Sequence, residues 1–362
     1  MVDIGKADWL YWKSTEALKK SQLKNGGISA SPKGTRYPYI YPRDHAMITL
    51  ALIEAGMIKE AEKAVLFLAK AKTRKGIFPQ RLLPSGKDAS YAPTQMDATS
   101  LSIIAIAKYY KKTKDKKFLR KAWKQIKKSG DFVVSKIDSE KRLVFTPNSI
   151  FEFPPLEEGF EIWANSACFL ALKETAFLAK ELGKKAKKYE KESLRIKKSV
   201  LRYLWVPSKK SFAKNLRIGA GASIVKHADP CGYAVAEFEM LPEKDKRIIS
   251  TVKRIEKELW HSKLGGICRY PKIVGRNPAG HGSWAIFTCM IARHFINTGK
   301  RKKAEKYIQW ILKNSENGMI PEHVASKADF EEYVMDYSRA GFLDRDLKVM
   351  VKNAKKQKRL KK

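Results

Sequence analysis

With only four cysteines in 362 residues, at positions 168, 231, 268 and 289, the chain offers no disulfide framework. Cys168, Cys231, Cys268 and Cys289 are widely spaced and mostly sit in or beside apolar stretches, the pattern of reduced core thiols. No segment approaches a charge-free membrane span, and Met1 to Lys6 lacks the apolar run and small-residue cleavage site of a signal peptide, so a cytoplasmic location is expected. The six histidines lack tight ligand spacing, and a metal site is not expected. Gly26-Gly27 and Gly265-Gly266 lack the strand and helix context of a dinucleotide or phosphate loop, which leaves no cofactor to predict. Alternating strand patterns are scarce outside residues 141–145, so a parallel α/β sheet is not expected.

Acidic residues are also few. Lys and Arg total 74 against 37 Asp and Glu, a net charge of +37 that is spread over many helices. Such a field attracts nucleic acid, anionic lipid or acidic substrates alike. There is no homeodomain-like helix, zinc-finger spacing or alternating aromatic and basic strand, so no specific nucleic-acid or membrane partner is expected.

What the chain does contain is helix. After an amphipathic segment at 9–23, a Gly- and Pro-containing loop leads into an apolar helix at 43–55, followed by a charged partner at 59–70. The unit recurs with pairs at 96–110 and 117–136, 164–182 and 184–203, 230–238 and 244–260, 283–297 and 302–313, and 330–339 and 344–355. An apolar helix that packs inward on a ring and outward on a partner is apolar on most of its surface, whereas the outer partner needs only one buried stripe. The expectation is an all-α, six-fold α/α barrel of about twelve helices, a single domain over 1–362. Either the first segment or the last helix then lies outside the regular outer layer.

The loops before the apolar helices carry Arg43 and Asp44, Gln95 and Asp97, Glu157 and Glu158, Asp229, Arg269 and Tyr270, and Glu322. In a ring these loops share one end, so the residues converge on a central pocket. Helix capping accounts for some of the acids. It does not account for the arginines and aromatics beside them. Arg and Asp bind adjacent sugar hydroxyls, and Tyr39, Tyr41, Tyr91, Trp163 and Trp284 are candidate stacking platforms.

Ordered motifs carry a resemblance. Tyr39-Ile40-Tyr41-Pro42-Arg43-Asp44 resembles the aromatic-x-W-P-R-D segment of family 15 glycoside hydrolases, the glucoamylase, glucodextranase and trehalase-like group. Phe78-Pro79-Gln80 and Gln95-Met96-Asp97 resemble that family's F-P-Q and Q-L-D segments, and Glu157-Glu158 its W-E-E segment. Gly265-Gly266-Ile267-Cys268-Arg269-Tyr270 resembles its G-G-x-x-R-Y loop and Pro321-Glu322 its P-E-Q segment. The order is the family's order, over roughly residues 20–340.

The resemblance implies a six-fold α/α barrel that hydrolyses a terminal α-linked glucose with inversion. Glu157 is then the general acid and Glu322 the general base. Tyr41, Arg43, Asp44, Gln95, Asp97, Glu158, Trp163, Arg269 and Tyr270 are the substrate-binding candidates, and Glu158 raises the proton affinity of Glu157 by like-charge repulsion. Departures are Leu156 and Tyr41 where the family has Trp, Ala98 in place of Glu, His323 in place of Gln, and Tyr337-Ser338-Arg339 in place of W-S-H. The β-sandwich domain of many prokaryotic relatives is not expected, and self-association could cover the face it would occupy. The substrate expected is an α-linked glucoside or short oligosaccharide. The competing readings are a lyase or phosphorylase acting on an anionic sugar, and a catalytically reduced carbohydrate-binding or scaffold protein of the same fold.

Overall fold

The computed structural model describes residues 2–31, 37–71, 73–91, 94–152, 157–218, 223–271 and 282–326. The sixth helix pair expected at 330–339 and 344–355, together with Leu156 and Tyr337-Ser338-Arg339, lies outside the described residues.

The fold is all-α, an (α/α) toroid, with eleven α-helices among the described residues. In chain order these are α1 (Ile4–Lys20), α2 (Pro42–Glu54), α3 (Ile58–Lys70), α4 (Met96–Thr113), α5 (Lys116–Ser135) and α6 (Ile162–Glu181). They continue with α7 (Lys187–Tyr203), α8 (Ala234–Glu237), α9 (Lys246–Leu259), α10 (Ala285–Asn297) and α11 (Arg301–Asn314). The inner helices α2, α4 and α6 pack in sequence around the ring, each against its own outer partner α3, α5 or α7, and α10 pairs with α11. α1 rests on α2 and α11, so it joins the outer layer where the ring turns from the fifth pair to the first.

Burial follows the composition. In α6, 16 of 20 residues are buried, as suits a helix with neighbours on both sides. In α7 only Tyr189, Ser193, Ile196, Ser199 and Val200 are buried, a stripe at helical spacing. Burying Ile196 and Val200 contributes about 1.5 to 3 kcal/mol each. Several starts are capped by acids: Asp3, Asp115 and Asp245 accept backbone N–H bonds from Lys6, Phe118 and Arg247.

The fourth inner element departs from expectation. Residues 230–238 form a 3-10 turn, Pro230–Tyr233, and the single-turn α8. Short strands precede it. β1 (Phe160–Glu161) pairs with β4 (Asn215–Arg217), β4 with β5 (Ser223–Ile224), and β2 (Trp205–Val206) with β3 (Ser211–Phe212). β6 (Ser283–Trp284) pairs with β7 (His323–Val324). Residues 141–145, which alternate like a strand, contribute one bridge, Ile137 to Val144. Gly159 permits β1 to close on β4, since a Cβ there would lie 2.6 Å from Asn215 Oδ1 and its φ is +136°.

Candidate active site

The loop ahead of α2 ends at Pro42, whose fixed φ suits the first helical position. That start turns Arg43 inward, where it is buried and becomes a hub. Nη1 donates to Asp97 Oδ2 at 3.1 Å and to the Ser149 carbonyl at 3.1 Å, and Nη2 donates to Glu152 Oε1 at 2.5 Å. Glu152 also accepts from Gln95 Nε2 at 2.9 Å and Gln80 Nε2 at 3.3 Å. Burial opposes the charge of Arg43, but Asp97, Glu152 and Asp44 outweigh it and hold the proton above the usual range. Burial pushes the Asp97 carboxyl up, partly offset by Arg43.

Asp44, beside this hub, has its carboxyl pushed up to about 6. Desolvation is the main cause; Arg43 opposes it, and the negative charges of Glu152, Glu322 and Asp97 add to it. Glu322 therefore acts on Asp44 electrostatically, although nearly 280 positions of chain separate them. Its loop is placed by the β6–β7 pairing and by Ala285 N donating to the Glu322 carbonyl at 3.1 Å. The Glu322 side chain is exposed, and the next ring, His323, stacks on Trp284.

Glu157 is 0 % exposed. Ser149 N donates to its Oε2 at 2.9 Å and Phe151 N to its Oε1 at 2.7 Å, and Lys214 Nζ lies 3.4 Å from Oε1. Lys214, at the start of the β4 segment, is 1 % exposed and also pairs with Glu161 Oε1 at 3.0 Å. Glu161 caps α6 by accepting from Trp163 N and Ala164 N, so in this loop capping falls to the third acid. Burial raises the Glu161 carboxyl, Lys214 counters it, and Glu157 adds to it. Glu158 points its side chain to solvent, while its carbonyl accepts from Asn215 Nδ2 at 2.8 Å.

The remaining candidates divide. Arg269 places its guanidinium 4.0 Å from the Phe151 ring centre and 4.5 Å from that of Trp284, and Tyr270 meets Phe151 edge-on. The buried Arg269 Nε, Tyr270 OH, Trp284 Nε1 and Gln95 Oε1 have no hydrogen-bond partner among the described residues. Those are groups a polyhydroxylated ligand would satisfy. Tyr39 and Tyr91 flank Arg81 at 4.1 and 4.3 Å, and the Tyr41 hydroxyl, raised by burial, bonds Arg81. Trp163 lies deeper. At 1 % exposure it packs edge-on against Phe238, and its Nε1 has no hydrogen-bond partner among the described residues.

Glu152, Arg81 and Lys214 were not singled out by the sequence. Gln80, in the F-P-Q segment, was the nearest signal for Glu152. Among the described residues no cluster of His, Cys, Asp or Glu could hold a metal. His45 is a satisfied core side chain: Nδ1 accepts from Ile28 N at 3.0 Å, which leaves Nε2 to donate to the Ala64 carbonyl, and burial lowers its proton affinity to about 4. All four cysteines are free. No described helix is long and apolar enough to cross a membrane. A groove of about 610 Å³ lies along the outer helix α5, but its one acid, Asp131, is already paired with Lys127 and Lys188.

A family model described as amylo-alpha-1,6-glucosidase matches residues 39–143. The chain is 27% identical over 325 residues to an uncharacterized glycosyl hydrolase of Methanocaldococcus jannaschii, covering 83% of this chain and 49% of that one. It is 25% identical over 349 residues to Trehalase 1 of Sulfolobus acidocaldarius, covering 88% and 56%. The chain thus spans about half the length of these curated relatives. A solved glycosidase in complex with glucose shares the fold at a TM-score of 0.73 and 16% identity, covering 94% of this chain and 93% of that one. Fold and sequence likeness together fit the (α/α)-toroid glycoside-hydrolase superfamily, in which glucoamylase-like and trehalase-like proteins both fall, without singling out family 15.

Proposed function

We propose that the protein is an inverting, glucoamylase-like glycoside hydrolase that releases glucose from short α-linked glucosides, with Glu157 as general acid and Glu322 as general base. The observation that carries this reading is the electrostatic link of Glu322 to Asp44 beside the Arg43 hub, which gathers loops from both ends of the chain at one end of the toroid. The M. jannaschii glycosyl hydrolase and the Sulfolobus trehalase support the reaction class, and the glucose-bound glycosidase of the same fold supports the sugar. Family 15 itself rests on the motif order from Arg43-Asp44 to Pro321-Glu322.

In this mechanism Arg43 and Asp44 hold hydroxyls of the terminal glucose, and Arg269 and Trp284 line the same end. Glu322, exposed and so free to meet water, removes a proton as that water attacks the anomeric carbon. Glu157 gives a proton to the departing oxygen. Both Glu157 oxygens now accept bonds from the 149–151 backbone, so productive binding has to exchange one of those bonds for the glycosidic oxygen. Inversion requires the two carboxyl groups to stand about 6.5–9.5 Å apart, with water between.

Glu322→Gln and Glu157→Gln are each expected to lower turnover of maltose or trehalose by about two orders of magnitude or more. Glu157→Gln should spare an aryl α-glucoside with a good leaving group. Proton NMR of the first glucose released should show the β anomer; initial α anomer from folded wild type would refute inversion. A second reading is favoured by one feature: the Glu152 side chain is 26% exposed within the hub, whereas Glu157 is enclosed. If Glu152 is the acid, Glu152→Gln and not Glu157→Gln will show the leaving-group dependence. A wild type that binds glucose without cleaving any α-glucoside would point to the carbohydrate-binding alternative.

A further inference from the structure

Arg81 is a cation at the loop end that none of the proposed steps uses. Its place follows from backbone pairing: Ile40 and Leu82 form an antiparallel bridge, with Ile40 N donating to the Leu82 carbonyl at 2.9 Å and Leu82 N to the Ile40 carbonyl at 2.7 Å. Side chains alternate in direction along extended backbone. Ile40 and Leu82 point into the core, which puts Tyr39, Tyr41 and Arg81 together on the other face. There the Arg81 guanidinium lies 4.1 Å from the ring centre of Tyr39 and 4.3 Å from that of Tyr91. Tyr91 arrives where the chain folds back on Arg81: Ala89 N donates to the Arg81 carbonyl at 3.1 Å, and Arg81 Nε donates to the Ala89 carbonyl at 2.7 Å. We propose that Arg81, held against Tyr39 and Tyr91, binds the aglycone and selects α-glucosides whose leaving group carries a carboxylate or a phosphate. The proposal rests on the reading of the chain as an α-glucoside hydrolase that takes the terminal glucose at the Arg43 hub.

Arg81 adjoins the hub. The residue before it, Gln80, donates from Nε2 to Glu152 Oε2 at 3.3 Å and accepts at Oε1 from Tyr91 N at 3.4 Å, while Arg43 holds the same Glu152 at 2.5 Å. Arg81 also donates to the Tyr41 hydroxyl, two positions before Arg43. A group attached to a glucose in the hub has to extend toward solvent. This wall leads that way, since Arg43 is buried and Tyr91 is 66 % exposed.

The charge of Arg81 is also uncompensated. Arg247, Arg254 and Arg293 each hold a carboxylate, from Asp245, Glu258 and Glu237. Among the described residues Arg81 holds none, and Asp88, the acid nearest it in sequence, instead accepts from Ser90 N at 2.8 Å and Ser90 Oγ at 2.7 Å. Two rings restrain the guanidinium, and its bonds to Ala89 and Tyr41 leave further N–H donors along its edge. A planar fork so restrained suits the paired oxygens of a carboxylate or phosphate. Glu152 would repel such a group, but its carboxylate is already engaged by Arg43, Gln80 and Gln95. The net charge of +37 draws anionic substrates toward the molecule.

The test uses pairs of substrates that share a glycosidic bond and differ in charge: maltitol against maltobionate for a carboxylate, and trehalose against trehalose 6-phosphate for a phosphate. Wild type should favour the anionic member of at least one pair by about tenfold or more in kcat/KM, and the pair that responds tells carboxylate from phosphate. Arg81→Met should cut that preference about tenfold, and Arg81→Lys, which keeps the charge without the fork, should retain only part of it. A merely structural Arg81 lowers both members of a pair by the same factor. That result, or a wild type without preference, overturns the proposal. Should Arg81→Met not fold, Tyr91→Ala at the exposed ring releases the guanidinium and should cut the preference about threefold; an undiminished preference overturns the proposal. Calorimetric titration of the same pairs into Glu322→Gln, with and without Arg81→Met, reads the preference as affinity and needs no turnover. Cleavage of none of the four by folded wild type overturns the hydrolase reading, and the titration then decides the role of Arg81: tighter binding of the anion that Arg81→Met abolishes upholds it, and equal affinities overturn it.

Discussion

Arg43→Met tests the hub directly. It removes the guanidinium from Asp97, which is fully buried and among the described residues keeps only the N–H of Ala98 at 3.0 Å as a donor. Breaking a buried pair from one side costs about 3 to 5 kcal/mol, most of it the uncompensated charge left behind. Glu152 adds little to that cost, because it is partly exposed and retains Gln80 and Gln95. Asp97→Asn should cost less, about 1 to 3 kcal/mol, because Arg43 still has Glu152 and the Ser149 carbonyl. The double variant removes both charges and should fall short of the sum of the singles by about 1 to 3 kcal/mol. Urea unfolding followed by circular dichroism gives all four free energies, and glucose titration by calorimetry gives the binding loss in the same variants. Additivity within about 0.5 kcal/mol would refute the coupling, and unchanged glucose affinity in a folded Arg43→Met would remove Arg43 from the sugar site.

Two further expectations concern stability. The Asp44 carboxyl rises to about 6 in the fold from an ordinary 3.8, so the folded state holds more proton between those values and stability falls as pH climbs through that window. Asp44→Asn, which cannot ionise, should flatten this slope of Tm between pH 4 and 6, and an unaltered slope would disprove the assignment. Gly76 has φ +98° and would set a Cβ 2.2 Å from the Lys128 carbonyl, whereas Gly183, at φ +65°, has open space. Gly76→Ala should therefore lower Tm clearly more than Gly183→Ala, where backbone strain of about 1 kcal/mol acts alone; equal losses in thermal melts would contradict the close approach.

The helix pairs were legible because inner and outer helices solve different burial problems and so differ in composition, as α6 and α7 do. The third outer partner, α7, was placed from Lys184, and the helix starts at Lys187. The hairpins at 205–224 were not legible: strands of two or three residues are too short to display alternation. Lys214 was hidden with them. In a chain with 74 basic residues nothing local marks a buried lysine. Glu152 was missed for another reason, since its φ of +54° is unusual for a non-glycine residue and no pattern announces it. Trp163 was read as a platform from its place beside the acids; α6 begins one residue before it, which buries the ring, a depth that its neighbours in the sequence do not announce.

The charge of the molecule gives the loop end its chemical sense. Over the whole chain, basic residues outnumber acidic ones two to one. Around the hub the ratio inverts: Asp44, Asp97, Glu152, Glu157, Glu161, Asp229 and Glu322 gather with Arg43, Lys214 and Arg269. A glycosidic bond breaks through a sugar that becomes positively charged at the anomeric carbon, and a field of +37 would oppose that charge. Carboxylates grouped in a poorly screened pocket reverse the sign where it matters, because nearby fixed charges outweigh distant solvated lysines. The same crowding makes the three cations necessary. Without Arg43 and Lys214 the buried Asp97 and Glu161, whose carboxyls burial already raises, would be driven further toward their protonated forms and the acidic cluster would lose its charge.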